Sequence, residues 1–362
     1  MERNLTSNKL ILKANLIKMN FYRSLFLLFH LLMAFVFSTC TSSRDIKDKS
    51  IEEELILTEF EKDSLKTNRG LKADHYPITN EYRLDLFFDD IKDIGGGYLG
   101  VGTDQNLTLI AKAKSKFAIL MDFDPQIVGV NKLHIFFLKN SNSYTDFKNF
   151  WDRKNFDTTL AFIRANEKKE IQILEKALRL GQQKFNGVPE RLGELEILFK
   201  KVNLVTFSHN EEEFQFLRKL ALENKIIAIE GDLNGKKSMK NISQELIAKN
   251  LKLEVIYFSN AEEYFTYYSP NFKENIEALP ISENSLILRT ASTGTRPIFG
   301  FPEFEKYPDI PMHYNIQKVT NLKKWFLVPK KFASTWMLLY RTKKMKGYST
   351  IDKEPKDFNL LK

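Results

Sequence analysis

Short apolar runs alternate with amphipathic stretches along the chain from about residue 90 onwards. Five of the runs have the length and composition of buried strands, and they lie at 97–102, 117–123, 226–230, 253–258 and 285–290. The stretches between them have helical spacing, at 106–114, across most of 126–201, from about 210, at 237–249 and from about 260. Because strands that alternate with helices form a mainly parallel sheet with helices on both faces, the pattern predicts an α/β fold.

Two helical segments carry more specific signals. Ile171, Leu174 and Leu178 repeat at the spacing that forms one apolar face. Ser208 is followed three residues later by Glu211, which is the pattern of a capping box and predicts a helix beginning there.

The N-terminal region has the layout of an export signal. Residues 24–37 form an uncharged run of 14 residues after Arg23, shorter than the ~20 residues that span a bilayer. The small residues Ser38 and Thr39 follow, and then Cys40. A basic start, a short apolar run and small residues are typical of a secretory signal. The run FSTC resembles a lipobox of the loose kind found in spirochaete lipoproteins.

This resemblance implies a signal peptide over 1–39, with translation starting at Met1 or Met19, and lipidation at Cys40. The partner is then a membrane, and the location is the cell envelope, facing the periplasm or the cell surface. An uncleaved anchor and a buried helix are the alternatives for the apolar run. Residues 40–75 are polar and predict a tether.

A glycine turn followed by an acid marks a possible ligand site. Gly100 and Gly102 end the first predicted strand, and Asp122 ends the second, 20 residues after Gly102. This spacing is typical of nucleoside-binding domains, in which the turn approaches the ligand and the acid accepts ribose hydroxyls. With Pro125 three residues after the acid, the stretch 100–125 resembles the opening of class I S-adenosylmethionine-dependent methyltransferases.

The resemblance implies a Rossmann-like, methyltransferase-like domain over 76–317 that binds S-adenosylmethionine. It places Gly100, Gly102 and Asp122 at the cofactor and Asp232 near the adenine. It also implies that Ser259 and Asn260 bind the cofactor, at the end of the fourth strand, where such enzymes often keep substrate-side groups. A group of bacterial proteins without an assigned activity is more closely similar over about 90–290.

Three features depart from the methyltransferase pattern. Tyr98 stands where an acid is usual, and Asp104 stands where a third glycine is usual. A helical insertion of about 126–205 separates the second and third strands. An Asp at position 104 would repel the carboxylate of the cofactor unless its side chain is turned away.

The predicted location in the cell envelope conflicts with the predicted cofactor, because S-adenosylmethionine is kept in the cytosol. We therefore expect a membrane-anchored lipoprotein that uses this scaffold to bind a small molecule or a partner. The alternative is a methyltransferase of unknown substrate. Fold alone does not decide between binding and catalysis.

Other residues offer weaker chemistry. We expect no zinc site, since no two histidines have ligand spacing. His134 lies in an apolar run, which predicts a core or subunit-face residue. We expect His209 at the surface, and His75 is a candidate for closing over the glycine turn. The acids Asp89, Asp90, Asp122, Asp124 and Asp232 could hold a metal ion, although turn capping is the simpler interpretation. Arg289 and Arg296 could hold an anion, or belong to a surface loop.

The chain of 362 residues has a net charge of +9 and one cysteine. A single cysteine excludes an internal disulfide framework. Residues 1–40 carry a net charge of +4 and residues 318–362 carry +9, so the chain between them carries −4. The basic C-terminal segment, 318–362, predicts either a solvated tail or a segment near anionic head groups. A mildly acidic body makes nucleic acid an unexpected partner.

Overall fold

A computed structural model describes Asp63 and residues 77–294, 300–329 and 331–361, all within one compact unit. The predicted signal peptide, Cys40 and most of the tether lie outside the described residues, as do His75 and Arg296. No helix in the described ranges is long and apolar enough to cross a membrane.

Eight strands within the described ranges form one mixed, mainly parallel sheet. They are β1 (Gly97–Val101), β2 (Phe117–Asp122), β3 (Ile226–Glu230), β4 (Leu253–Ser259), β5 (Ile281–Ser292), β6 (Met312–Lys318), β7 (Thr342–Met345) and β8 (Tyr348–Ile351). Their order across the sheet is β3-β2-β1-β4-β5-β6-β8-β7. The first five strands pair in parallel, whereas β6 is antiparallel to β5. The predicted α/β class with a mainly parallel sheet is confirmed.

Helices cover both faces of this sheet. They are α1 (Phe88–Ile91), α2 (Gln105–Ala113), α3 (Pro125–Lys139), α4 (Tyr144–Trp151), α5 (Phe156–Asn166), α6 (Ile171–Gly181), α7 (Val188–Val202), α8 (Glu211–Leu222), α9 (Ser238–Ala248), α10 (Pro270–Ala278), α11 (Val319–Trp325) and α12 (Ser334–Met337). Helices α3 to α8 all lie between β2 and β3 in the chain.

Alternate residues of each central strand enter two separate cores. Tyr98 and Leu120 pack with helices α2 to α8 on one face, whereas Leu99 and Met121 pack with α9, α10 and α11 on the other. Burial on both faces explains why these strands read as continuous apolar runs in the sequence. It also fixes their register, since a slip of one residue would exchange the two faces.

The predicted capping box at Ser208 is wrong. The helix predicted from Ser208 begins at Glu211, and its cap is Asn210, whose side chain accepts the backbone N–H groups of Glu212 and Glu213. The side chain of Ser208 instead contacts its neighbours Thr206 and His209.

The C-terminal segment also differs from a solvated tail. Its strand β8 pairs with β6 in the sheet, and the side chains of Trp325 and Phe326 are buried in the second core. The many lysines make this segment look like a solvated tail in the sequence, although part of it is apolar and buried. Lysines are compatible with the sheet because an edge strand such as β7 keeps its charged side chains in solvent.

Candidate functional site

The carboxyl ends of the parallel strands meet around the turn after β1. Gly102 has φ of +89°, a left-handed conformation that favours glycine, and its N–H donates to the Asp122 carboxylate at 3.2 Å. A Cβ on Gly100 would lie 2.1 Å from the side-chain oxygen of Asn106, so both glycines are needed for this turn. The structure therefore joins Gly102 and Asp122 directly and places Gly100 in the same turn.

Tyr98 and Asn106 brace the turn from inside. The Tyr98 hydroxyl donates to the side-chain oxygen of Asn106 at 2.7 Å, and the amide of Asn106 donates to the backbone oxygens of Val101 and Thr103. Tyr98 is fully buried, and burial raises its pKa. The residue that replaces the usual acid is thus part of the packing of the turn.

Asp104 points into the protein, towards a buried arginine. Its carboxylate accepts Arg191 Nε at 2.9 Å and the backbone N–H of Thr79 at 2.9 Å. Arg191 lies on α7, is fully buried, and also donates to Glu194 and to the backbone oxygen of Glu81. The charge of Asp104 is therefore compensated within the protein rather than directed at the outside of the turn.

Asp122 remains partly exposed at the end of β2. Its second carboxylate oxygen accepts the backbone N–H of Asp124 at 2.9 Å, and Asp124 in turn caps α3 through the N–H of Gln126. Phe123, the next residue, is 37% exposed. This corner places an acid next to a partly exposed aromatic residue.

Asp232 lies in the turn after β3 and is partly exposed. Its carboxylate accepts the backbone N–H of Asn234 at 2.8 Å, so it caps its own turn. The N–H of Gly231 donates to the backbone oxygen of Asp122 at 2.9 Å, which holds this turn next to the end of β2. The acids Asp122, Asp124 and Asp232 thus stabilise turns, as the simpler interpretation predicts.

Ser259 and Asn260 end β4 at the same edge of the sheet. Ser259 has a positive φ of 52°, and its hydroxyl donates to the carboxylate of Glu81 at 2.6 Å. The amide of Asn260 lies 3.4 Å from the carboxylate of Glu263. Ser259 therefore contacts a buried glutamate that no sequence motif marks.

Glu81 is a buried carboxyl group that three hydroxyls surround. Its side chain accepts hydrogen bonds from Tyr257, Ser259 and Thr290, on β4 and β5, and it is 1% exposed. Burial raises the pKa of Glu81 to about 7, although the hydroxyls and Arg191 oppose the shift. A carboxyl group with this pKa exchanges its proton near neutral pH.

No motif marks Glu81 in the sequence. It belongs to the segment before β1, the same segment in which His75 is predicted to close over the turn. No local signal was available, because its partners Ser259 and Thr290 lie 178 and 209 residues further along the chain.

Arg289 is buried rather than exposed on the rim of the sheet. Its Nε donates to Glu262 at 2.6 Å, and Nη1 donates to the side chains of Asn315 and Gln317. Glu262 also accepts the hydroxyl of Tyr268 at 2.5 Å. The interpretation of Arg289 as a surface anion site is therefore wrong, because an internal carboxylate already pairs with it.

The histidines have structural surroundings. His134 is buried against Phe147 and Trp151, and burial lowers its pKa to about 4, which confirms the predicted core position. His209 is partly buried, stacks on Phe199 and lies in a cleft of about 250 Å³. A larger cleft of about 450 Å³ is lined by Asn142, Asn149, Thr158 and neighbouring residues of α4 and α5. Both clefts lie on the helical layer, away from the glycine turn.

Two comparisons bear on this site. No curated protein matches the chain. A family model described as a domain of unknown function, DUF7790, matches residues 76–358 and so includes Glu81, the glycine turn and all eight strands. The chain therefore belongs to the DUF7790 family.

Proposed function

We propose that the DUF7790 domain binds a small molecule that carries a nucleoside, at the carboxyl edge of β1, β2 and β4. The observation that carries this proposal is the contact between the Gly102 N–H and the Asp122 carboxylate. It lies where the chain order of the strands reverses, with β1 between β2 and β4. In open α/β sheets, ligands bind outside the carboxyl ends of the strands at such a switch point.

The side chains at this edge suit a ribose and a base. Asp122 is partly exposed and carries the carboxylate that would accept ribose hydroxyls, and Phe123, next to it in the chain, is also partly exposed. The order β3-β2-β1-β4-β5 and the helices on both faces support the Rossmann-like, methyltransferase-like scaffold that the sequence resembles. We therefore propose S-adenosylmethionine as the ligand.

The inward direction of Asp104 removes the main objection to this ligand. Its carboxylate is paired with Arg191 beneath the turn, so it does not face the place where an amino-acid carboxylate would lie. An amino-acid carboxylate of the ligand could then lie near the turn without facing the charge of Asp104.

Glu81 favours a second candidate function, the transfer of a methyl group to a nitrogen or oxygen nucleophile. S-adenosylmethionine supplies an electrophilic methyl group when it is bound. The nucleophile must lose a proton as it accepts the methyl group, and Glu81 lies at the ends of β4 and β5, next to the proposed cofactor edge. Its pKa of about 7 suits a proton acceptor at neutral pH.

Calorimetric titration with S-adenosylmethionine tests the proposal. We expect binding to the wild type and to Asp157→Ala, an exposed acid on α5 that serves as the matched control. Asp122→Ala should lose at least about 2 kcal/mol of binding free energy, because hydrogen bonds to a charged acceptor each contribute about 1.5–3 kcal/mol. Absence of binding to the wild type at millimolar ligand would refute the proposal.

We further propose that the domain is tethered to a membrane through lipidated Cys40, which lies outside the described residues. The support is the sequence before it, a short apolar run after a basic segment. Metabolic labelling with palmitate should mark the wild type and not Cys40→Ala. Equal labelling of the two proteins, or labelling of neither, would contradict the tether.

A further inference from the structure

Apolar side chains project into solvent around the segment after β4 and the chain after α11. We call the set formed by Tyr264, Tyr267, Leu327 and Trp336 the aromatic surface. Leu327 is 67% exposed and Trp336 is 54% exposed, and both tyrosines are also exposed. Solvated apolar side chains grouped in this way are typical of interaction sites rather than of ordinary protein surface.

Contacts between the two segments bring them next to each other. The ammonium group of Lys331 lies 4.8 Å from the centre of the Tyr267 ring. The N–H of Tyr268 donates to the backbone oxygen of Phe332 at 2.7 Å, and α12, which carries Trp336, packs on the turn at Ala261–Tyr264.

A buried aromatic layer supports the surface from below. Tyr268 packs against the rings of Phe272, Phe326 and Phe332, with centroid distances of 4.9, 5.6 and 5.3 Å. Each exposed side chain is therefore close in sequence to a fixed one, and Leu327 directly follows Phe326. A surface anchored in this way presents its apolar groups without unfolding.

The segment that supplies Leu327 and Trp336 is basic. The segment 318–362, which supplies Leu327 and Trp336, carries a net charge of +9, whereas residues 41–317 carry −4. The two acids nearest to Tyr264 are buried, with Glu262 on Arg289 and Glu263 on the backbone N–H of Ser292. Glu354 is paired with Lys324 and Lys356. Lys331 lies at the Tyr267 ring, and Lys273 lies at the rings of Phe326 and Phe332 beneath the surface, so lysines are present beside the exposed apolar side chains.

We propose that the aromatic surface binds directly to the head-group region of an anionic lipid bilayer. Tryptophan and tyrosine rings prefer this region because they combine an apolar body with a polar tip. Lysines beside them are attracted by the negative surface potential of anionic lipids. The contact does not depend on a lipid at Cys40 or on a ligand at the glycine turn.

The three tryptophans make the contact measurable, because Trp151 and Trp325 are buried and Trp336 is exposed. The full chain carrying Cys40→Ala is mixed with phosphatidylcholine vesicles, with or without phosphatidylglycerol. With the anionic lipid, we expect tryptophan emission to move to shorter wavelength and to be quenched by lipids brominated on their acyl chains. Trp336→Phe should lose this change, which assigns the signal.

Two charge substitutions separate this surface from other routes to the vesicle. Leu327→Asp should remove most of the quenching, whereas the matched control Phe185→Asp, at a 75% exposed ring in the helical layer, should retain it. Added salt should reduce the quenching, because screening weakens the attraction of lysines to the bilayer. Because the full chain keeps its apolar leader, the depth of Trp336 rather than vesicle pelleting is the readout.

The proposal is overturned if anionic vesicles leave the Trp336 emission unchanged, as they would if the surface binds a protein or a nucleic acid instead. It is also overturned if neutral and anionic vesicles act equally, or if Leu327→Asp and Phe185→Asp behave alike. Thermal unfolding of each variant checks that the fold is retained.

Discussion

Two fully buried glutamates lie near the carboxyl edge of the same sheet, and their partners differ. Glu81, between β4 and β5, accepts hydrogen bonds from three hydroxyl groups. Glu262, towards β6, forms an ion pair with Arg289. Burial without a paired cation raises the pKa of Glu81 to about 7. The side of the sheet near the glycine turn therefore holds a group that titrates near neutral pH, whereas the far side holds a fixed ion pair.

This difference separates a region suited to chemistry from a region suited to stability. On the far side a second buried pair, Glu305 with Arg341, ties the chain before β6 to the chain before β7. Near the turn, Arg191 is also buried, but it pairs with Asp104 and donates only through a backbone contact to Glu81. Arg191, Arg289 and Arg341 thus pair with other carboxylates, and the carboxyl group of Glu81 accepts hydrogen bonds from hydroxyl groups instead.

The largest expected effect is on the far side. Arg289→Met leaves Glu262 buried without its cation, so the free energy of unfolding should fall by about 3–5 kcal/mol. Urea denaturation measures the loss. Lys201→Met, which breaks an exposed ion pair with Asp309, should cost less than about 1 kcal/mol and is the control. The double variant Glu262→Gln, Arg289→Met should recover part of the loss, and equal losses in the single and double variants would contradict this assignment.

The second prediction concerns Glu81 and pH. The folded protein binds the Glu81 proton more tightly than the unfolded chain, since burial raises the pKa from 4.5 to about 7. The resulting stabilisation is fully present below pH 4.5 and is lost as the pH rises through 7. Relative to Glu81→Gln, the wild type should lose on the order of 3 kcal/mol of unfolding free energy between pH 4.5 and 8. A difference between the two proteins that stays constant with pH would contradict the shift.

The third prediction concerns the glycine turn. Gly100→Ala places a Cβ against the side chain of Asn106, so the turn must shift, at a cost of about 1–3 kcal/mol in unfolding free energy. Gly193→Ala is the control, because it lies inside α7 with nothing near its Cβ position. Alanine there should stabilise the protein by up to about 1 kcal/mol. Melting temperatures that shift in the same direction for both variants would argue against a crowded turn.

The smallest expected effect on stability is that of Asp122→Ala. The change removes one acceptor each for the N–H groups of Gly102 and Asp124, at a partly exposed position, so the loss should be about 1 kcal/mol. A much larger loss in urea denaturation would make Asp122 a structural residue. The region near the glycine turn would then have no residue assigned to ligand binding.

The parallel half of the sheet could be predicted because its strands are buried on both faces. Residues 226–230 match β3 as predicted, and β1, β2 and β4 differ by one residue at an end. The strands β6, β7 and β8 were missed, since β6 contains His313, Asn315 and Gln317, whose side chains form an internal polar network. A buried strand with polar side chains has no apolar pattern to detect.

The site was predictable where chemistry follows a local spacing. Gly102 and Asp122 are joined as the glycine-to-acid spacing predicts. Glu81 and the pairing of Asp104 with Arg191 were not predictable, because the partners lie 87 or more residues apart in the chain. The cap of α8 was also not predictable, although its partners are close in the chain. Ser208 and Asn210 are both good capping residues, and the helix begins after Asn210.

Hydrogen–deuterium exchange with saturating S-adenosylmethionine tests the ligand site most directly. We predict slower exchange in peptides that cover 97–106 and 117–124, because a bound nucleoside would shield the turn and the end of β2. The cleft lined by residues of α4 and α5 should not change. Unchanged exchange at the turn, or protection confined to the helical layer, would contradict the proposed site.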